Sequence, residues 1–281
     1  MATIDYLNKR GFFMKKGLKV LALGALALPL GLLSACGGQL DFGSSLNVNN
    51  AGAYKEVTQA EFTTYVSQEV EGEDVVNKDM SSGLKFVYEV NDDGENLKVN
   101  AIIKMTDANK VEIATKMTTS MPGENGGNAA ISMYYPGEET FYADMNISYR
   151  GQAAQGNIKG QYSFDVNTSS YPGGMGPEEI LSMISSVDVD NIAAMLSTYT
   201  DAVVSKAESG DKLNYKIEIK SDSTYQPDST YYIMFENDVL VGVKLESEYG
   251  IMAMERFDGE IKYPNFENYV NYEEYLQSLI K

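Results

Sequence analysis

The amino-acid sequence predicts an α+β domain, in which an antiparallel sheet is accompanied by a few helices. Two blocks, residues 84–166 and 213–263, alternate apolar and polar side chains at the period of a half-buried strand. Between them, residues 177–206 repeat their apolar positions at the helical spacing of three and four. Runs of strands beside separate runs of helices are typical of the α+β class.

The folded region begins with a predicted helix over residues 59–70. Thr58 and Glu61 have the spacing of a capping box, in which the threonine hydroxyl accepts from the amide of Glu61 and the glutamate reaches back. Behind this cap, one apolar stripe is formed by Phe62, Tyr65, Val66 and Val70. We therefore expect an amphipathic helix that packs on the sheet through this stripe.

Ten strand patterns follow the first helix, separated by short turns such as Asp92-Asp93-Gly94 and Asn237-Asp238. Short turns between consecutive strands favour antiparallel meanders with one buried face. Pro177 suits the first turn of a helix, and we expect helical structure from there to about Lys206. The last residues, 271–281, are predicted to form a short helix.

The N-terminal region has the features of a secretory signal. Three lysines, at 15, 16 and 19, precede an apolar run from Val20 to Leu33 and a small-residue cleavage site. The residues Leu33, Ser34, Ala35 and Cys36 resemble the lipobox of bacterial lipoproteins at all four positions. This resemblance implies that Cys36 carries a diacylglyceryl group and becomes the first mature residue. Acyl chains such as palmitate would then hold the protein to an envelope membrane, on its extracytoplasmic side.

These observations divide the chain into five parts. We predict an upstream extension ahead of the real start at Met14, a lipoprotein signal peptide, a flexible Gly/Ser/Asn-rich tether, a single α+β domain and a C-terminal tail. Their respective bounds are 1–13, 14–35, 36–56, 57–270 and 271–281.

Composition excludes several classes of function. Removal of residues 1–35 from the 281 leaves 246 residues with 17 basic and 39 acidic side chains, and this charge repels nucleic acid. The chain has no histidine, and Cys36 is its one cysteine. Histidine-dependent nucleophilic catalysis, histidine-ligated zinc and internal disulfides are therefore excluded. We predict a protein that is not an enzyme and has no cofactor or metal.

The order of elements on a lipobox-bearing chain resembles the lipoprotein-carrier (LolA-like) superfamily of lipid-binding envelope proteins. The resemblance rests on the helical segments Thr58–Val70 and Pro177–Lys206 and on the ending Phe257–Pro264, which is similar to a closing strand of that family. It implies a half-barrel, in which a strongly curved antiparallel sheet of about nine or ten strands wraps around the helices. An apolar cavity for acyl chains would lie between sheet and helices. No functional residue of the family can be assigned to this sequence.

Other motifs have simpler explanations than catalysis. Ser82 and Lys85 have the S-x-x-K spacing of penicillin-recognising enzymes, but the accompanying K-T-G motif is absent. The acidic stretches at 91–95 and 188–191 lack a complete calcium loop and suit a hairpin turn and a helix cap. Adjacent carboxylates such as Glu273 and Glu274 are typical of a solvated acidic surface.

Methionine provides the remaining indication of function. Nine methionines fall on predicted strands or helices: Met105, Met117, Met133, Met145, Met183, Met195, Met234, Met252 and Met254. Flexible methionine side chains suit surfaces that accept variable apolar ligands, although ordinary core filling is the more frequent use. Our first hypothesis is a non-enzymatic envelope lipoprotein that binds a lipid or another apolar ligand. The alternative is a surface interaction protein with a filled core and an acidic partner-binding face, whose protein partner the sequence does not identify.

Overall fold

A computed structural model gives the structure of the protein. It describes residues 42, 46–69, 83–92, 94–106, 110–122, 126–137, 140–150, 152–161, 194, 196, 199, 201–220 and 227–279. The strands are β1 (Lys55–Val57), β2 (Gly83–Asp92), β3 (Glu95–Thr106), β4 (Lys110–Met121), β5 (Gly127–Pro136), β6 (Thr140–Tyr149), β7 (Gln152–Gln161), β8 (Val203–Ser209), β9 (Lys212–Ile219), β10 (Ser229–Glu236), β11 (Val239–Ser247), β12 (Gly250–Phe257) and β13 (Val270–Asn271). The helices are α1 (Gln59–Glu69) and α2 (Tyr272–Leu279).

The strands form one sheet, in the order β1-β8-β9-β10-β11-β12-β2-β3-β4-β5-β6-β7-β13. Twelve strands pair antiparallel, and β13 pairs parallel with β7 through Val270 and Ile158. The predicted fold class is therefore wrong: the protein has one large open mixed sheet of thirteen strands, where nine or ten antiparallel strands around helices were expected. The two described helices lie at opposite ends of this sheet and are not enclosed by it.

The sequence does not predict three of the strands: β1 with three residues, β8 with seven and β13 with two. β1 and β13 are the two edge strands. Strands this short carry too few alternating side chains to be recognised, and their extended form depends on the neighbour with which they pair. The predicted mid-chain helix extends too far: Ala194 and Leu196 are helical, but Val203–Ser209 is β8, so the chain is already extended before Lys206. Two adjacent β-branched valines, Val203 and Val204, favour a strand there, and β8 pairs with both β1 and β9.

The first helix confirms the sequence prediction and adds one correction. Helix α1 begins at Gln59, and the Thr58 hydroxyl accepts from the amide of Glu61 at 3.1 Å, as a capping box requires. The Glu61 carboxylate does not complete the box but lies 3.2 Å from Lys206 Nζ on β8. The cap thus also ties the helix start to the strand beneath it. At the other terminus, α2 confirms the predicted C-terminal helix.

The register defines two faces of the sheet. We call face A the side of the sheet that carries Ile217, Ile233, Met254, Phe86 and Ala101. Residues that are directly paired on neighbouring antiparallel strands lie on the same face, as do alternate residues of one strand. Face B is the opposite side, which carries Asn214, Gly242, Ala114 and Asp144. Both helices contribute side chains to face A, whereas the chain segments 46–54 and 258–269 contact face B.

Buried tyrosines predict a loss of stability in alkali. Burial raises the pKa of Tyr215 and of Tyr232 to about 12, and the Glu246 carboxylate contributes to the shift at Tyr232. A tyrosine whose pKa is higher in the folded than in the unfolded state stabilises the fold fully below pH 10, and this contribution is lost as the pH rises toward 12. We therefore expect cooperative unfolding in this interval, followed by circular dichroism and tyrosinate absorbance. The chain has no tryptophan to obscure that absorbance.

The matched control is Tyr215→Phe, which removes one of the hydroxyls that must ionise. This variant should unfold at a higher pH than the wild type. An unchanged or lower midpoint would contradict the assigned cause.

Candidate functional site

A row of apolar side chains crosses face A from one end of the sheet to the other. Twelve strands contribute one residue each, in register: Val57, Val204, Ile217, Tyr231, Leu245, Met252, Tyr88, Val99, Met117, Ile131, Met145 and Gly156. We call this set the apolar row. Apolar and polar side chains alternate along each strand and so point to opposite faces of the sheet. The register between neighbouring strands then places their apolar side chains on the same face. Face A therefore presents one continuous apolar strip.

Helix α1 covers the row at the β8–β11 end. Phe62 is 0% exposed, and its ring meets Tyr215 edge to face with centroids 4.9 Å apart. Tyr65 packs edge to face on Phe235 at 5.1 Å, and Leu196 joins the same buried cluster. This part of face A is a filled core.

Helix α2 covers the row at the β6–β7 end. Its buried Tyr275 lies against Ala143 and Ile158. The ring sits directly over Gly156, where an added Cβ would lie only 2.6 Å from Tyr275 Cε2. Glycine at this position allows the close approach of the helix.

The middle of the apolar row differs from its two ends because all of its side chains are partly exposed. Residues Leu245, Met252, Tyr88, Val99, Met117, Ile131 and Met145 are all partly exposed. Just beside them, Phe86, Ala101 and Met254 form a separate buried cluster on the same face. We call the seven partly exposed residues, from Leu245 to Met145, the central row. Partly exposed, contiguous apolar side chains on a sheet are typical of a surface that receives another apolar group.

Methionines concentrate on this face. Five of the nine that the sequence singled out, Met117, Met133, Met145, Met252 and Met254, lie on face A. Met234 is buried on face B, and the side chains of Met105, Met183 and Met195 lie outside the described residues. The sequence could place each methionine on a strand, but only the register shows that five share one face.

Face B has a polar clamp that holds the C-terminal segment. The hydroxyls of Tyr134 and Tyr269 both donate to the Asp144 carboxylate, at 2.9 Å and 2.5 Å. Burial raises the pKa of both tyrosines, and the neighbouring Asp144 carboxylate raises it further. Both therefore remain protonated donors. Phe266 stacks on Tyr142 at 3.8 Å beside this clamp, so residues 258–269 are fixed across β3–β6.

A second clamp on face B holds the N-terminal segment. Asn214 is fully buried, and its side-chain amide donates to Val48 O at 3.1 Å and to Asn50 Oδ1 at 2.6 Å. Leu46 packs over Gly242, where a Cβ would lie 2.9 Å from its methyl. In the sequence, Asn214 is a polar residue between two apolar ones, and this pattern does not indicate that its side chain is buried. Its partners lie more than 160 residues away along the chain.

Removal of the Asp144 carboxylate should release the C-terminal segment. Asp144→Ala leaves two buried hydroxyls without an acceptor, and we expect the free energy of unfolding to fall by about 3 kcal/mol. Asp144→Asn retains one acceptor oxygen and should cost about half as much. Chemical denaturation measures both values, and limited proteolysis after residue 258 should be faster in the alanine variant. Equal stability of all three proteins would contradict the clamp.

Most of the predicted site residues are not among those that the structure describes. These are Leu33, Ser34, Ala35 and Cys36 near the N-terminus, and Ser82 of the S-x-x-K pair. Lys85 lies on β2 and pairs with Glu255 across 3.6 Å, a structural contact on face B. Among described residues, no three acidic, histidine or cysteine side chains group closely enough to hold a metal ion. Neither described helix is long and apolar enough to span a membrane.

Comparison with known proteins gives little. No family model and no curated protein matches this sequence. A weak structural neighbour is the crystal structure of a DUF1329 family protein from Desulfovibrio piger, which is 10% identical in sequence. The similarity covers 73% of this chain and 92% of that chain, with a TM-score of 0.19. A score this low carries no argument about fold or function.

Proposed function

We propose that the mature protein is a non-enzymatic lipoprotein of a bacterial envelope that binds an apolar ligand on face A. Acyl chains on Cys36 anchor it, and the central row provides the contact for acyl chains or a similar ligand. The observation that carries the binding proposal is the register. It aligns seven partly exposed apolar side chains on seven adjacent strands.

The geometry of the central row suits an extended ligand. Adjacent strands lie about 4.8 Å apart, so seven strands present an apolar strip about 29 Å long. This length is comparable to the hydrocarbon thickness of a bilayer, about 30 Å, which two opposed acyl layers fill. One acyl layer is about half of that thickness, so a single extended acyl chain fits across the strands along its whole length.

Three members of the strip favour adaptable binding. Met252, Met117 and Met145 have unbranched thioether side chains that change rotamer at low cost and fit apolar groups of different shape. Tyr88 adds an aromatic face, and burial raises the pKa of its hydroxyl above the ordinary value for tyrosine. A binding strip of this composition selects for apolar character more than for one particular ligand.

Native mass spectrometry of the soluble domain, produced without residues 1–36, tests the binding. We expect co-purified lipid on the wild type. Met117→Asp, which places a carboxylate in the middle of the central row, should lower the lipid-bound fraction at least tenfold. Thr118→Asp is the matched control, because the next residue of the same strand points to face B. It should retain the lipid.

Two results would contradict ligand binding. One is a clean lipid-free mass of the wild type under every extraction condition, and the other is equal lipid occupancy in both aspartate variants. Met117→Gln keeps the size of the side chain and guards against a folding failure of the aspartate variant. It should bind less lipid than the wild type while its thermal unfolding remains cooperative.

The anchor has its own test. Cys36→Ser should accumulate as an uncleaved precursor without lipid, because the thiol accepts the diacylglyceryl group before cleavage. Membrane fractionation and intact mass measure both outcomes. Maturation of this variant at residue 36 with acylation would rule out the proposed anchor.

A further inference from the structure

One side of strand β7 is paired along only a short part of its length. On its inner side, β7 pairs with β6 through all ten of its residues. On its outer side, Ile158 and Lys159 pair with the two residues of β13. Among the described residues, no strand pairs with the outer side of residues 152–157, which we call the open edge. Backbone N–H and C=O groups of a strand point to both of its sides, so half of those in the open edge point away from β6.

The open edge is accessible to another chain. Gln152 and Ala153 at its start are exposed. Pairing with β13 further along shows that the outer side of β7 accepts an extended segment. The residues ahead of β13 do not continue this pairing, because Tyr269 binds Asp144 on face B instead. The open edge therefore retains room and hydrogen-bonding groups for one more strand.

The open edge lacks the residues that usually prevent such pairing. Natural edge strands carry charged residues, especially lysine, or proline, and these oppose the addition of another strand. At the opposite edge of the sheet, β1 has exposed Lys55 and Glu56 among its three residues. The open edge reads Gln-Ala-Ala-Gln-Gly-Asn and contains neither a charged residue nor a proline. The β1 edge is thus protected against pairing, whereas the β7 edge is not.

The part of face B beside the open edge is uncharged as well. The chain has a formal net charge of −18, so two copies repel one another, and this repulsion is weakest where both present uncharged surface. Two rows of face B cross β4 to β7 in register with small or amide side chains. They are Thr118, Ala130, Asn146 and Gln155 in one row, and Ser120, Asn128, Ser148 and Ala153 in the other.

We propose that the open edge pairs with the open edge of a second copy of this chain, with the two β7 strands antiparallel about a twofold axis. An antiparallel pair of identical strands is self-complementary, because each strand offers the other the same backbone donors and acceptors. The glutamine and asparagine side chains of the open edge both donate and accept hydrogen bonds, so they are compatible across the axis. A basic peptide from another protein would find no carboxylate in the open edge with which to form an ion pair.

The contact is small and should be reversible. Six residues of strand span about 20 Å, and interfaces that bury less than about 1,200 Å² are typically transient. We therefore expect a dimer that dissociates on dilution. The contact involves neither Cys36 nor the central row, so it is independent of the proposed anchor and of ligand binding.

Native mass spectrometry of the full-length protein, released from detergent micelles, counts the copies over a dilution series. We expect dimers at high concentration and monomers at low concentration. Ala153→Lys places a lysine in the open edge of each copy and should lower the dimeric fraction at least fivefold. Ala130→Lys is the matched control, because it makes the same change on the same face, two strands inside the sheet. It should retain the dimer, and circular dichroism should show both variants folded.

Hydrogen exchange locates the contact in the wild type, without any variant. The amides of residues 152–157 should exchange at least threefold more slowly at high than at low protein concentration, whereas those of Lys55–Val57 should not change. Monomers at every concentration would overturn the proposal, as would dimers that Ala153→Lys leaves intact or slower exchange only outside the open edge. A bound peptide of another protein in place of the second copy would also overturn it.

Discussion

Replacement of Phe62 by alanine is expected to lower the free energy of unfolding by about 3 to 5 kcal/mol. Phe62 is fully buried between α1 and the sheet and contacts the Tyr215 ring edge to face. Truncation removes the ring contact and leaves a cavity that the surrounding strands cannot close. Urea denaturation followed by circular dichroism measures the change.

The matched control is Thr64→Ala, on the exposed side of the same helix. Alanine has the higher helix propensity, so this variant should change stability by less than about 0.5 kcal/mol. A similar loss in both variants would mean that the helix itself, and not the Phe62 contact, determines stability. An intact Phe62→Ala protein with wild-type stability would contradict the assignment of this cluster as a core.

Replacement of Gly250 by alanine is expected to cost about 4 kcal/mol or more. Gly250 has a φ of +151°, and an added Cβ would lie 1.9 Å from the carbonyl oxygen of Glu89 on the adjacent strand. Any side chain must therefore push β12 away from β2. Among the described pairings, β12–β2 joins the meander of β8–β12 to that of β2–β7, so this change weakens the centre of the sheet.

Gly210→Ala separates the two contributions to that cost. Gly210 also has a positive φ, +64°, but an added Cβ would meet no atom within 4 Å. This variant should lose only about 1 to 2 kcal/mol from backbone strain. Thermal unfolding of both variants measures the difference, and equal destabilisation would show that the contact with Glu89 is unimportant.

Local signals in the sequence predicted local structure well. The cap at Thr58, the turn at Asn237-Asp238 and the alternation along β9 all depend on residues within a few positions of one another. The structure confirms each: the cap bond is formed, both turn residues have positive φ, and Leu213, Tyr215 and Ile217 share one face. Residues near in sequence have few alternative conformations, so their pattern is sufficient to identify them.

The secondary structure predicted for two segments is wrong because it depends on contacts with distant parts of the chain. Helical spacing before residue 200 was continued into Val203–Ser209, where pairing with two neighbouring strands decides for an extended chain. The ending Phe257–Pro264 resembles a closing strand, but only Phe257 belongs to a strand, β12, and residues 258–264 cross face B without pairing to a strand. In both cases the conformation depends on what lies beside the segment in space.

Several features follow from the amino-acid sequence alone: the exclusion of histidine-dependent chemistry, the resemblance of residues 33–36 to a lipobox, the periods of the strands and the helix cap. Tertiary structure decided that the second meander joins the first through β12 and β2, which aligns the central row on one face. It also decided that Phe42, Asn214 and Asp144 bind distant segments to face B. The Asn214 and Asp144 contacts join residues more than 100 positions apart, and the buried residues of the cluster on which Phe42 packs lie at least 60 positions from Phe42. No local pattern encodes them, because their free energy is gained only when the whole sheet has formed.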